Sequence, residues 1–150
     1  MNISKASFDD LAEILELQHL AYKSEAALFG RDDIQPLTET LDELIEEYNE
    51  GFVLKMVAED GRIIGSIRAR EENGSVYIGK LMVHPDYQRQ GYGTRLIQEI
   101  EKCFPGRRYE LFTSTRSVKN IRLYEANGYK IFDQRPEDGE IVFVYLEKEN

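Results

Sequence analysis

Apolar positions along the chain change their period several times, and each change marks an element. Leu11, Ile14, Leu15 and Leu17, continued by Leu20 and Ala21, recur at helical spacing. Ser7-x-x-Asp10 ahead of them resembles a capping box with Asp in place of Glu, so the pattern predicts a first helix over about Phe8 to Ala26, after a short strand at Asn2–Ala6. From Leu28 to Thr38 the period fails, and Gly30, Arg31-Asp32-Asp33 and Pro36 read as a loop. Thr40-x-x-Glu43 is a second capping box, and Leu41, Leu44, Ile45 and Tyr48 form the stripe of a second helix ending near Asn49–Gly51.

The pattern then turns to strands. Phe52–Ala58 and Arg62–Arg70 are joined by the hairpin signal Glu59-Asp60-Gly61-Arg62, and Glu71-Glu72-Asn73-Gly74 turns the chain into Ser75–Val83. Pro85 ends that strand, because it lacks a backbone donor and restricts His84. Helical spacing returns from Thr94 to Glu101, with Leu96, Ile97 and Ile100 apolar. After the break at Pro105-Gly106 come a strand at Tyr109–Thr113 and a helix at Val118–Asn127 with Gly128 at its C′ position. Two last strands, Tyr129–Asp133 and Ile141–Leu146, flank a polar turn. The order βααβββαβαββ implies a mixed, curved sheet with helices on both faces, an α/β (α+β) fold. No repeat or linker interrupts it, so residues 1–150 read as a single domain.

Composition narrows the class. Hydrophobic residues make up 41% and charged residues 31%, which excludes a disordered chain. No apolar run reaches membrane-spanning length and the first residues do not resemble a signal peptide, so a cytoplasmic protein without a membrane partner is expected. The single Cys103 cannot form an internal disulfide and reads as a small core residue. A net charge of −9, from 19 basic and 28 acidic residues, argues against a nucleic-acid partner and is compatible with a cationic amine as well as with simple solubility. His19 reads as a packing residue, and His84 as part of the turn before Pro85.

The candidate chemistry lies between Gly79 and Ile100. Gln88-Arg89-Gln90-Gly91-Tyr92-Gly93 joins a strand to a helix, and loop amides at an open helix N-terminus favour an anion through unpaired N–H groups and the helix dipole. Gly91 and Gly93 permit close approach and positive φ, and Arg89 and Arg95 can add charge-assisted contacts. The loop is neither a phosphate-binding Walker A sequence nor a dinucleotide fingerprint. Taken alone, its glycines also fit an ordinary turn. Asn120 and Tyr124 are four apart and share a helical face.

Gln88-x-x-Gly91-x-Gly93 after Val-His-Pro, together with Asn120-x-x-x-Tyr124-x-x-x-Gly128-Tyr129, resembles the two cofactor motifs of the GCN5-related N-acetyltransferases, the GNAT family. The resemblance covers essentially the whole chain, most strongly residues 77–132. It implies that the strands at Tyr77–Val83 and Tyr109–Thr113 run parallel and splay apart, with acetyl-CoA entering the V. The amides of Leu81, Met82 and Val83 would polarise the acyl carbonyl. Gln88, Arg89, Gln90, Gly91, Tyr92, Gly93 and Thr94 would hold the pyrophosphate. Asn120 would contact the cofactor, and Tyr124 would protonate the departing thiolate; the competing reading of Tyr124 is a core aromatic. No metal is implied.

The implied activity is acetyl transfer to a primary amine of a small molecule or peptide, by direct attack in a ternary complex, in a monomer or homodimer. The alternative is a non-catalytic acyl-CoA-binding sensor or regulatory module. Many family members carry a Glu on the strand leading into the loop, where this chain reads Tyr77-Ile78-Gly79-Lys80-Leu81. Tyr77, Glu25 or Glu71 acting through water, or solvent itself, remain for taking the proton. Glu25, Asp32, Asp33, Glu71 and Glu72 are expected to border the acceptor side.

Overall fold

The computed structural model describes residues 1–149. Its strands are β1 Asn2–Lys5, β2 Phe52–Val57, β3 Ile63–Glu72, β4 Ser75–Val83, β5 Arg108–Ser114, β6 Lys130–Asp138 and β7 Ile141–Glu149. Its α-helices are α1 Leu11–Ala21, α2 Lys23–Ala27, α3 Gln35–Thr38, α4 Leu41–Glu50, α5 Tyr92–Cys103 and α6 Val118–Ala126. All seven strands form one curved open sheet in the order β1-β2-β3-β4-β5-β7-β6. Every pairing is antiparallel except that of β4 with β5. The expected mixed sheet flanked by helices is the observed fold.

Strand alternation divides the core into two layers. Val53 of β2, with Ile63 and Met82, packs under Leu11, Ile14 and Leu17 of α1 and Leu44 of α4. Leu54 and Met56, the neighbours of Val53 on the other face, join Leu96, Ile97 and Ile100 of α5 and Tyr124 of α6. The capping box that starts α4 is formed: Thr40 N–H donates to Glu43 Oε1 at 2.9 Å, and Glu43 N–H to Thr40 Oγ1 at 3.2 Å.

Several local expectations change, among them the end of β6, which continues through Pro136 and Glu137 to Asp138 where a turn was expected. The first helix is not continuous. A 3₁₀ turn at Phe8–Asp10 precedes α1, and the ladder breaks at Tyr22, whose hydroxyl is drawn into the sheet to donate to Leu81 O at 3.1 Å. The expected loop from Leu28 to Thr38 contains the single turn α3, with Pro36 in its first turn where a missing N–H costs nothing. Cys103 is exposed rather than core. α5 ends there, and Phe104 takes the inward place, with its ring 5.7 Å from that of Phe52.

The feature that positions the site is a fork. β4 and β5 pair only where Ser75, Val76 and Tyr77 lie opposite Arg108, Tyr109 and Glu110. Beyond that point Ile78–Val83 keeps pairing with β3, while Leu111–Ser114 pairs only with β7. A bulge drives the divergence. Ser66 lies opposite Met82 and Arg68 opposite Gly79, so β4 has one residue too many, and Lys80 takes the strain at φ 50°. Such an insertion bends the strand and raises its twist.

Candidate active site

Along the upper arm of β4, alternation decides which amides face the fork. His84 N–H donates to Ile64 O of β3 at 2.7 Å, so His84 and Met82 point their backbone groups toward β3. Leu81 and Val83 therefore point theirs the other way. Their carbonyls confirm the sense: Leu81 O accepts from the Tyr22 hydroxyl at 3.1 Å and Val83 O from Gln88 Nε2 at 3.2 Å. The N–H groups of Leu81 and Val83 thus open into the fork. Met82 buries its side chain under α1 and turns its amide to β3.

The loop after β4 is rigidly begun and openly ended. His84 Nδ1 accepts the Asp86 N–H at 3.1 Å, fixing the turn at Pro85–Tyr87. Arg89 and Gly91 then adopt φ of 64° and 80°. Gly93 does not have positive φ; a Cβ there would meet Leu123 Cδ2 at 3.2 Å, so its smallness serves packing against α6. α5 starts at Tyr92, two residues earlier than its apolar stripe indicates, with no side-chain cap and no acidic residue in its first turn. Arg95 N–H closes the first turn on Gly91 O at 3.1 Å. The amides of Tyr92, Gly93 and Thr94 find no acceptor among the described residues, so this end keeps the open donors of a helix N-terminus. Gln90 and Arg89 are exposed beside it, whereas the Arg95 guanidinium donates to Met1 O at 3.1 Å.

The opposite wall is α6. Asn120 and Tyr124 share the face that meets the fork. Asn120 Nδ2 donates to Glu25 Oε1 at 3.1 Å, and Ser117 Oγ donates to the same oxygen at 2.7 Å. Lys119 Nζ donates to Gln88 Oε1 at 2.9 Å and so ties α6 to the loop. Tyr124 is only 6% exposed, and its hydroxyl has no hydrogen-bond partner among the described residues. Burial first, then the Glu25 charge, raises its pKa above the ordinary phenol value, so it holds its proton throughout the physiological range. Tyr22 is raised in the same way, by burial and then by Tyr124 and Glu25. The two phenols and the carboxylate therefore share one corner of the fork.

Behind β4, on the α1 side, lies a buried charge network. Arg68 bonds Glu39 at 2.9 Å and also Glu47 and Gln18. Gln18 Nε2 donates to Glu39 Oε1 at 2.9 Å and to Pro36 O at 2.8 Å. Lys80 Nζ lies 3.7 Å from Glu39 and 3.8 Å from Glu47. Burial opposes the Glu39 charge, yet Arg68 and Lys80, with hydrogen bonds from Gln18 and Arg68, hold its carboxyl down to about 2. Glu47 moves the other way, raised by burial against the pull of Lys80 and Arg68 and by the neighbouring Glu39 charge.

The remaining sequence candidates fall elsewhere. Tyr77 sits where β4 and β5 still pair, beneath the Arg70 guanidinium at 4.7 Å. Glu71 is ion-paired with Arg107 and Glu72 with Arg70, at the closed end of the fork. Asp33 is held by Arg31 at 2.7 Å. Of the acidic residues expected on the acceptor side, Glu25 is the one whose bonds reach α6. Tyr22, Ser117 and Lys119 were not singled out by sequence; only Ser117 carried a signal, as a cap-type residue just before the α6 stripe. Among the described residues no group of three or more His, Cys, Asp or Glu is arranged to hold a metal, and no helix is long and apolar enough to cross a membrane.

A family model described as the acetyltransferase (GNAT) family matches residues 11–129. UPF0157 protein YqkA of Bacillus subtilis (strain 168) is 30% identical over 119 residues, which are 79% of this chain and 34% of that protein, so the chain spans about a third of that relative's length. Among solved structures, the PaiA N-acetyltransferase of Thermoplasma acidophilum in complex with coenzyme A superposes with a TM-score of 0.82 at 22% identity, covering 99% of this chain and 98% of that one. YncA of Salmonella typhimurium, determined with acetyl-CoA, gives a TM-score of 0.73 at 22% identity over 99% and 93% of the two chains. These structural likenesses show a common fold.

Proposed function

The chain belongs to the GNAT acetyltransferase family, and from that premise we propose that it transfers the acetyl group of acetyl-CoA to a primary amine of a small molecule or peptide, by direct attack in a ternary complex. The observation that carries this reading is the fork itself, with the open Leu81 and Val83 amides on its β4 arm and, from α6, a Tyr124 hydroxyl that has no hydrogen-bond partner among the described residues. We read residues 1–150 as one acyltransferase domain acting in the cytoplasm as a monomer or homodimer, without nucleic-acid, membrane or metal partners.

The residues fit acetyl-CoA. Only donors meet at the start of α5, where an anion would sit, and no carboxylate stands in the first turn to repel it. When bound, acetyl-CoA supplies an acyl group activated by a thiol leaving group. The chain's own residues do the rest. The amides from Gln90 to Thr94 hold the pyrophosphate, with Gln88 fixing the loop to Val83 and Lys119. The N–H groups of Leu81 and Val83 polarise the acyl oxygen where negative charge develops, and Met82 anchors that arm in the core. Asn120 keeps its Oδ1 free toward the cofactor while Nδ2 is held by Glu25. Tyr124 gives its proton to the sulfur.

The absence of a carboxylate from Tyr77–Val83 is the one observation that favours the acyl-CoA sensor instead. Calorimetry with acetyl-CoA and a thiol-release assay over a panel of amines separate the two. Tight binding with amine-dependent thiol release is expected. Tight binding without release from any amine would leave the sensor reading, and no binding would remove both.

A further inference from the structure

We propose that Glu25 is the acceptor subsite: its carboxylate holds the substrate ammonium at the mouth of the fork and takes the proton that the amine must lose. The proposal rests on the acetyltransferase reading and names the group that reading leaves open. Glu25 comes from α2, a segment that the break at Tyr22 swings across the fork toward α6. Ser117 Oγ and Asn120 Nδ2 both donate to Oε1, at 2.7 and 3.1 Å. Oε2 has no hydrogen-bond or ion-pair partner among the described residues. Two bonds on one oxygen therefore fix the carboxylate and leave the other oxygen for a ligand. The residue is half-buried, so a cation there is reached from solvent yet partly shielded from it.

The alternatives are committed elsewhere. Glu39 is fully engaged by Arg68, Gln18 and Lys80, Glu71 by Arg107, and Tyr77 lies at the closed end of the fork. The groups facing Glu25 are Tyr22 from the α1–α2 junction, Tyr124 and Asn120 from α6, and Ser117 from the loop before α6, where Arg116 is the adjacent cation in sequence. The Arg116 guanidinium is turned away, donating to Leu28 O at 3.0 Å and lying 3.5 Å from Glu140. Among the described residues no cation therefore neutralises Glu25, and the site selects a positively charged amine.

The step balances. The ammonium gives one proton to Oε2, and the freed lone pair forms the C–N bond as the C–S bond breaks. Tyr124 passes its proton to the sulfur and is reprotonated by the second proton the nitrogen sheds. Glu25 returns its proton to solvent, so one proton is released per turnover. A carboxylate that binds the ammonium also raises the amine's pKa, which makes an acceptor at the same spot necessary.

The test uses the chain with acetyl-CoA and four probe amines: lysine, 1,5-diaminopentane, benzylamine and glycinamide. With the best of them, Glu25→Gln is expected to lower kcat/KM about 100-fold near pH 7. The deficit should shrink as pH approaches the amine's own pKa, where solvent removes the proton. Acetyl-CoA affinity and thermal midpoint should stay near wild type, and Glu25→Asp should recover part of the rate. A structural role alone would move affinity and midpoint and leave the pH profile in place. Glu25→Gln with wild-type kcat/KM and an unchanged profile overturns the inference while leaving the acetyltransferase intact. Absence of thiol release from wild type with all four amines overturns the parent reading and this inference with it.

Discussion

Two regions meet at the peptide between Lys80 and Leu81, and they treat polar groups in opposite ways. Behind β4, Arg68, Lys80, Glu39 and Glu47 balance two positive with two negative charges. Arg68 and Glu39 are buried at 6% and 3% exposure, and Arg68 Nε is the only sealed side-chain polar atom among the described residues without a partner. In front of β4, the amides of Leu81, Val83, Tyr92, Gly93 and Thr94 are left open. A buried polar group without a partner costs roughly 1–3 kcal/mol, whereas one that water still reaches costs little until a ligand replaces the water. The closed region is therefore a brace for the bulge at Lys80, and the open region is where binding free energy is available. On the proposed function, the contrast separates residues that brace the fold from those that act on the ligand.

The largest effect is expected on the closed side. Removing one partner of a buried ion pair costs about 3–5 kcal/mol when the other is stranded; Arg68 keeps Glu47 and Gln18, so Glu39→Ala should lower the unfolding free energy by about 3 kcal/mol, measured by denaturant titration, without touching a donor of the fork. The same carboxylate has a pH signature. Its pKa falls on folding to about 2, so its contribution is complete above the unfolded value and is lost as pH drops toward 2. Wild type should lose stability between about pH 5 and 2 more steeply than the variant. Parallel acid limbs would break the assignment of Glu39 as the paired charge.

Next in size is Tyr124→Phe, which keeps the ring in the core and deletes the unpartnered hydroxyl. Turnover should fall about 100-fold, equivalent to about 2.7 kcal/mol, with acetyl-CoA affinity and fold retained. An undiminished kcat would make Tyr124 a packing residue and move it to the closed side of the comparison.

The loop before α5 comes third. At Gly91 there is room for a Cβ, but φ is 80°, so Gly91→Val meets backbone strain rather than a clash. A stability loss of roughly 1–3 kcal/mol and at least a tenfold loss of acetyl-CoA affinity are expected, the latter measured by calorimetry on the folded fraction. Gly93→Ala should do less, because the atom it meets is the movable end of Leu123. If Gly93→Ala proved the more damaging to binding, the loop would owe its shape to packing on α6 and not to the left-handed turn.

The smallest effect belongs to Arg95→Ala. Its charge invites a role at the anion site, but the guanidinium is already spent on Met1 O. Acetyl-CoA affinity should change by no more than about 2–3-fold, the scale of a solvent-exposed charge contact. A tenfold loss at low salt that vanishes at high salt would instead place Arg95 on the ligand.

Much of the fold was legible because its causes are local. The α4 capping box, the stripe of Leu96, Ile97 and Ile100, and the end of β4 at Pro85 each depend on a few neighbouring residues. The donor-rich loop before α5 and the placing of Asn120 with Tyr124 on one face of α6 were readable for the same reason. Tyr22 could not be read as a helix break, since neither Gly nor Pro marks it and the cause is a carbonyl of β4. Cys103 was misread because helical spacing places it with Leu96 and Ile100, while the chain's exit at Phe104 leaves it outside.

Local chemistry along the chain was thus enough to determine the strands and most of the helices, the α4 cap, the donor-rich loop and the place of Tyr124 on α6. The tertiary structure decided what those parts face. Glu25 and Ser117 are 92 positions apart, and Arg68 lies 50 from Gln18 and 29 from Glu39. No spacing rule spans such separations. A carboxylate reads the same in sequence whether it ends up exposed, braced against an arginine or aimed into a fork. Only the course of the sheet, set by one extra residue in β4 and the loss of pairing after Tyr77, assigned Glu39 to the brace and Glu25 to the cleft.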